Sequence, residues 1–149
     1  LSDAEWERVD DVMEEMATEL RAQGHRPYVI PESGSNEVGA LGYLECAVEL
    51  AGQIGHGAPR FDTVAISVYS GGSQGGLLMG KQLAGLPSEI VGIPIAWPAT
   101  RVREHVQHTM AKAIRRFGFA IEVPKSIHLL DGHQGVGRAS VGDGELGTI

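Results

Sequence analysis

Cysteine is almost absent from this 149-residue chain. Cys46 stands alone, so no intrachain disulfide and no cysteine-built zinc site can form. That suits a reducing compartment, and a lone cysteine reads as a small buried apolar residue. Basic residues are outnumbered, with 12 Lys and Arg against 19 Asp and Glu and a formal charge of -7. Nowhere do they cluster into the stripe that displaces counterions from phosphates, which excludes a nonspecific nucleic-acid binder. Long apolar runs are missing too. None approaches the roughly 20 residues needed to span a bilayer, and the acidic N-terminus lacks the basic-then-apolar order of a signal peptide. A cytoplasmic protein with no membrane partner is expected. The chain begins at Leu1 and ends at Leu146-Gly147-Thr148-Ile149 without a terminating helix signal, as a piece of something longer would.

What is present is enough for a core: 42% hydrophobic and 21% charged residues over 149 positions predict a single α/β domain spanning 1–149. Trp6, Val9, Met13, Met16 and Leu20 recur every three or four positions until Gly24, the pattern of an amphipathic helix with Ser2 or Asp3 as N-cap. Its stripe would pack on the domain's own core or pair with another chain. Pro27-Tyr28-Val29-Ile30-Pro31 is a short extended segment, and Ser33-Gly34-Ser35-Asn36 is a turn into a helix over 39–53 that buries Leu41, Leu44, Val48 and Ala51. Then follow a strand over 63–69, a glycine-rich loop, a helix to about Leu83, a strand over 90–96, a long helix over 99–117 and a last strand over 127–130. Strands that are apolar runs, alternating with helices, predict a parallel sheet with helices on both faces.

The glycine-rich loop carries the chemistry. Ser70-Gly71-Gly72-Ser73-Gln74-Gly75-Gly76 lies between the apolar run Val64–Val68 and the apolar Leu77-Leu78-Met79. Glycine permits positive φ and close approach, and the free N–H groups of a following helix point at an anion that the helix dipole favours. Ser73 would add a hydroxyl; alternatively the loop is only a tight turn. Two nucleotide-binding patterns fail here. Gly75 to Lys81 has the Gly-x-x-x-x-Gly-Lys spacing of an ATP-binding P-loop, but Gln82 stands where a hydroxyl must hold magnesium. Lys81 would also lie about 10 Å along the helix at 1.5 Å per residue. The dinucleotide fingerprint Gly-x-Gly-x-x-Gly is absent, and no acidic residue closes the strand over 90–96.

Other constellations are weaker. His105 and His108 share a helix without a third ligand, so no metal site is assigned. His25, His56, His128 and His133 fall in loops or at element ends, and their spacing pairs them with neither Cys46 nor a serine nucleophile. Glu45 and Glu49 are one helical turn apart, as solvent-exposed carboxylates often are.

A larger set of letters is informative together. Gly24-His25-Arg26-Pro27-Tyr28-Val29-Ile30-Pro31, Gly34-Ser35-Asn36, Gly39-Ala40-Leu41-Gly42-Tyr43, Phe61-Asp62 and Ser70–Leu77 occur in the order and at the intervals of successive family motifs. From about Gln23 to about Asp131 the chain resembles the D-cysteine desulfhydrase and 1-aminocyclopropane-1-carboxylate (ACC) deaminase family. The resemblance implies the central part of a tryptophan-synthase-β-like, fold type II enzyme that uses pyridoxal 5′-phosphate. It implies that Ser70, Gly71, Gly72, Ser73, Gln74 and Gly75 hold the cofactor phosphate through backbone amides and the Ser73 hydroxyl. Ser33 and Ser73 replace a usual glycine and threonine, and Gly135-Val136-Gly137-Arg138-Ala139-Ser140 departs from a glycine- and tyrosine-rich stretch.

The matched region lies downstream of the family's cofactor-anchoring lysine and its Ser-Asn-His segment, and upstream of its tyrosines and the hydroxyl that meets the pyridine nitrogen. Lys81, Lys112 and Lys125 do not match the anchoring position, so no catalytic residue is assigned. The expectation is a truncated or split member, lyase-like or deaminase-like by resemblance, that keeps the phosphate cradle and is not catalytic alone. The alternatives are a module binding a small amino-acid or phosphate ligand and a self-associating structural protein without ligand. A homo-oligomer or a complementing half-enzyme is the expected partner, because a fragment of this fold would expose sheet edges and apolar faces.

Overall fold

A computed structural model describes residues 8–133. The chain divides into two compact units, Leu1–Gly34 and Ser35–Ile149. In the first, helix α1 spans Val9–Ala22. Its N-cap is Arg8, without a side-chain capping bond, and the expected caps Ser2 and Asp3 lie outside the described residues. Ion pairs between Arg8 and Glu15 at 3.2 Å and between Arg21 and Glu14 at 2.6 Å run along its surface. Of the apolar stripe, Met16 and Leu20 are exposed and Ala17 is buried, so the buried position falls one residue away from the pattern's centre. A single 3₁₀ turn, Glu32–Gly34, follows.

The second unit begins with a local device. The Asn36 side-chain oxygen accepts from the N–H of Val38 at 3.0 Å and of Gly39 at 2.8 Å, an Asx turn that leads the chain toward α2, Leu41–Gly55. Strand β1 is Thr63–Val68, α3 is Gly72–Ala84, β2 is Glu89–Pro94 and α4 is Ala99–Phe117. Gly85 and Gly118, both left-handed, end α3 and α4 and turn their N–H groups back onto the Lys81 and Ile114 carbonyls.

β1 and β2 pair in parallel, Thr63 opposite Glu89 through Val68 opposite Pro94. β2 buries Ile90, Val91 and Gly92 in succession, which requires cover on both of its faces. β1 is different: Thr63, Ala65 and Ser67 stay exposed while the residues between them are partly or fully buried. The expected last strand over 127–130 reduces to one parallel bridge, Leu129 to Gly92. Its hydrogen bonds run from Gly92 N–H to the His128 carbonyl at 3.0 Å and from Leu130 N–H to the Gly92 carbonyl at 2.8 Å.

Two apolar clusters hold these elements. Val68, Met79, Val102, Val106, Met110 and Ala113 pack with Ala40 and Leu44, while Ala47, Leu77, Leu86 and Ile90 form a second cluster with half-buried Cys46 at its margin. Each fully buried Val, Leu or Met stabilises by about 1.5–3 kcal/mol. The α2–α3 contact is closer than apolar side chains allow. Gly72, Gly76 and Gly80 recur every four residues along one face of α3, and a Cβ on any of them would overlap α2 or the turn before it. At Gly76 it would stand 2.7 Å from the Tyr43 Cβ and against the Ala40 carbonyl; at Gly80 it would stand 2.7 Å from the Ala47 Cβ. This small-residue stripe brings the two backbones together and fixes where α3 begins.

Candidate functional site

The site follows from how β1 hands over to α3. β1 ends at Val68, and Ile95 N–H still donates to the Val68 carbonyl at 3.0 Å, so the carboxyl ends of β1 and β2 lie side by side. Gly71 takes φ 87, where an L side chain is strained, and serves as N-cap of α3. A Cβ there would also stand 2.5 Å from the Val106 Cγ2, so α4 closes the loop on one side. The first intrahelical bond runs from Gly75 N–H to the Gly71 carbonyl at 2.9 Å. The N–H groups of Gly72, Ser73 and Gln74 precede it, and no side chain caps this end. The first turn carries no acidic residue, so the dipole field there is unopposed by a local carboxylate in a chain that is acidic overall.

The residues of the resemblance meet here only in part. Ser70, Gly71, Gly72, Ser73 and Gly75 sit on the turn and first helical turn; the glycines are buried, and the two serines are half-buried. Gly75 faces inward, 3.5 Å from Met110 Cγ and 3.7 Å from Val106 Cγ1 as measured from an added Cβ. The Gln74 side chain is turned into the protein, fully buried, with its Nε2 donating to the His128 carbonyl at 3.2 Å. Its contribution to the loop is therefore its backbone N–H.

Ser35 is a neighbour that sequence reasoning passed over. Its hydroxyl donates to the Ser70 carbonyl at 3.4 Å and stands 2.6 Å from where a Gly72 Cβ would lie. The Gly34-Ser35-Asn36 motif was the available signal, since it directly precedes α2, the helix that the glycine stripe draws against α3.

Beside the loop, Tyr69 and Trp97 follow β1 and β2 with ring centroids 5.4 Å apart. The Arg101 guanidinium lies 4.0 Å over Trp97, and His105 meets the same ring edge-on at 5.6 Å. His105 is thus half-buried against an indole, while His108 is exposed. Lys81 lies near the opposite end of α3, where its ammonium donates to the Leu86 carbonyl at 3.2 Å and the Ser88 carbonyl at 2.5 Å. That placement closes the P-loop reading. Among the described residues no group of three His, Cys, Asp or Glu is arranged to hold a metal, and no helix is long and apolar enough to cross a membrane.

No family model matches the chain. Individual proteins do. A putative ACC deaminase of Pyrococcus abyssi is 35% identical over 122 residues, 82% of this chain and 37% of that protein. A D-cysteine desulfhydrase of Yersinia enterocolitica is 39% identical over 103 residues, 67% of this chain and 31% of that protein. One of Serratia proteamaculans is 43% identical over 82 residues, 55% of this chain and 25% of that protein. A crystal structure of an ACC deaminase homologue superposes with a TM-score of 0.70 at 27% identity, covering 88% of this chain and 38% of that one. The chain spans between 25% and 37% of the length of these curated relatives. Sequence and fold together make it a partial match to the D-cysteine desulfhydrase and ACC deaminase family.

Proposed function

We propose that the chain is a truncated or split member of this family whose 70–75 loop takes the phosphate of pyridoxal 5′-phosphate and which is not catalytic alone. In this reading the chain, residues 1–149, is the equivalent of the central part of the fold type II architecture. The observation that carries the reading is the uncapped first turn of α3 at the carboxyl end of a parallel strand, opened by left-handed Gly71 and free of acidic residues.

The residues present fit a phosphate. The N–H groups of Gly72, Ser73 and Gln74 would donate to its oxygens, Ser73 would add its hydroxyl, and the helix dipole would favour the charge. Ser35 and Val106 would hold the loop in place from either side. When bound, the cofactor supplies an electron sink for chemistry at the carbon bearing an amine. The chain's own share is binding and orientation, since Lys81 is committed to carbonyls at the far end of α3.

That same commitment favours a second reading, a module for a small phosphorylated ligand, because α3 offers the loop no lysine. Titration with pyridoxal 5′-phosphate and with pyridoxal, which lacks the phosphate, tests both. Saturable binding of the first alone, weakened in Ser73→Ala and competed by inorganic phosphate, is the expected result. Equal binding of both, or of neither, removes the phosphate role. A covalent adduct after borohydride reduction at one lysine would support cofactor use, and binding without one the ligand module.

Self-association or a complementing polypeptide belongs to the same reading. Among the described residues β1 pairs with β2 alone, leaving the donors and acceptors of its other edge outside any ladder. Sedimentation is expected to show association that grows with concentration; a monomer at the highest concentration would remove this part.

A further inference from the structure

Gln74 is buried at 0% exposure, yet it is half satisfied: Nε2 donates to the His128 carbonyl at 3.2 Å, while Oε1 accepts nothing from the described residues. A buried acceptor left without a donor costs free energy that an unbranched apolar side chain of similar length would not. Packing therefore does not account for a glutamine here. What the glutamine does is join three places. Its backbone N–H is the last of the free donors in the first turn of α3. Its side chain crosses β2 where residue 92 has no Cβ; one built there would come within 2.6 Å of Nε2. It ends on the carbonyl that also accepts the Gly92 N–H at 3.0 Å, the bond that docks residues 127–130 beside β2.

We infer that Gln74 is a positioning residue that ties the first turn of α3 to the third parallel segment, so that docking of residues 127–130 and anion capture at the loop reinforce each other. The inference rests on the phosphate reading of the loop. The segment has one bridge to the sheet and no ladder of its own; buried Ile127, the His128–Glu89 contact at 2.6 Å and the two backbone bonds with Gly92 hold it in place, and the Gln74 bond adds a tie from it to the first turn of α3. The first turn in its turn is closed at its start by the Gly75-to-Gly71 backbone bond and has no side-chain cap. Fixing either end of the Gln74 side chain lowers the ordering cost of the other, and such coupling is reciprocal.

The test compares wild type, Gln74→Met and Gly92→Ala by amide hydrogen exchange and by titration with pyridoxal 5′-phosphate, with urea midpoints establishing that each is folded. Gly92→Ala reaches the same bond from the other side, by displacing the Gln74 amide. In both variants exchange at the Gly92 and Leu130 amides is expected to quicken about tenfold, a loss of about 1.4 kcal/mol of local stability. The Leu78 amide, in the middle of α3, is expected to stay protected. Affinity for the phosphate compound should fall at least about fivefold although no loop donor has been removed, and Ser73→Ala should lower affinity without changing exchange at Leu130. Unchanged exchange at Leu130, a uniform rise at all amides, or faster exchange with full affinity would each overturn the inference. Failure of the wild type itself to bind would overturn the phosphate reading and with it the coupling, and is seen before any variant is made.

Discussion

Gly76 of α3 stands directly against the Ala40 carbonyl of the turn into α2, with no room between them for a methyl group. Backbone cannot yield as a flexible side chain does, so Gly76→Ala must part the two helices. A loss of about 1–3 kcal/mol is expected from overpacking of this kind, read as a lower urea midpoint. Gly75→Ala is the contrast, because its Cβ would lie at ordinary contact distance from Met110 and Val106. There the better helix propensity of alanine, about 1 kcal/mol, should leave the fold as stable or more so.

Ser33 adopts φ 59 and ψ 10, and no other described non-glycine residue has positive φ. Left-handed backbone costs an L residue about 1–2 kcal/mol, of which glycine's extra freedom when unfolded returns about 0.5–1 kcal/mol. Ser33→Gly is therefore expected to stabilise by up to about 1.5 kcal/mol, the largest difference of those two effects. Ser33→Val, β-branched, should destabilise. Thermal unfolding of the pair decides it, and equal midpoints for both variants would show that the turn does not hold this conformation.

Lys81 offers its ammonium to the Leu86 and Ser88 carbonyls, and the Ser88 hydroxyl donates to the Phe61 carbonyl at 2.7 Å. The lysine therefore braces the connection from α3 into β2. Lys81→Met keeps the stem and removes the donors, and a destabilisation of about 1–3 kcal/mol is expected for charge-assisted bonds. Phosphate-dependent binding at the loop should persist in the variant. Lost binding in a folded Lys81→Met chain would return this lysine to the site.

Most elements were legible because their signals are local. α4 was expected over 99–117 and is found at Ala99–Phe117, since Val102, Val106, Thr109, Met110 and Ala113 recur at helical spacing before Gly118. α2 was expected over 39–53 and runs Leu41–Gly55, displaced by the Asn36 turn, whose carbonyl and side chain occupy the preceding residues. The third strand was over-read. Ile127 to Leu130 has a strand's composition, but its pairing depends on Gly92, a residue far away in sequence. The site divides along the same line. The loop's glycines announced a tight strand-to-helix turn, whereas the Ser35 contact and the inward Gln74 amide depend on α2 and on His128, which no local pattern encodes. The spacing of Gly72, Gly76 and Gly80 was on view in the sequence as a repeat of small residues. Its significance lay in which helix faced it.

Glu37 joins the entrance of α2 to the last turns of α4. Its carboxylate accepts from Arg116 at 2.9 Å and lies 3.9 Å from the Lys112 ammonium, with only 17% of the side chain exposed. A backbone hydrogen bond at Glu37 itself, and then the Arg116 guanidinium, hold its pKa below the ordinary carboxylate value of 4.5 against the opposing effect of burial. A depressed carboxylate pKa contributes stability that is present above the unfolded value and lost as pH falls through the folded one. Glu37→Gln keeps the shape and removes the charge. The variant should therefore be less stable than wild type at pH 7, and the gap should narrow as pH falls through 4.5 and below. Urea midpoints of both chains at a series of pH values measure that gap. A gap that stays constant on acidification would mean that the carboxylate acts only through its shape and hydrogen bonds, and that its charge on Arg116 and Lys112 contributes nothing to the fold.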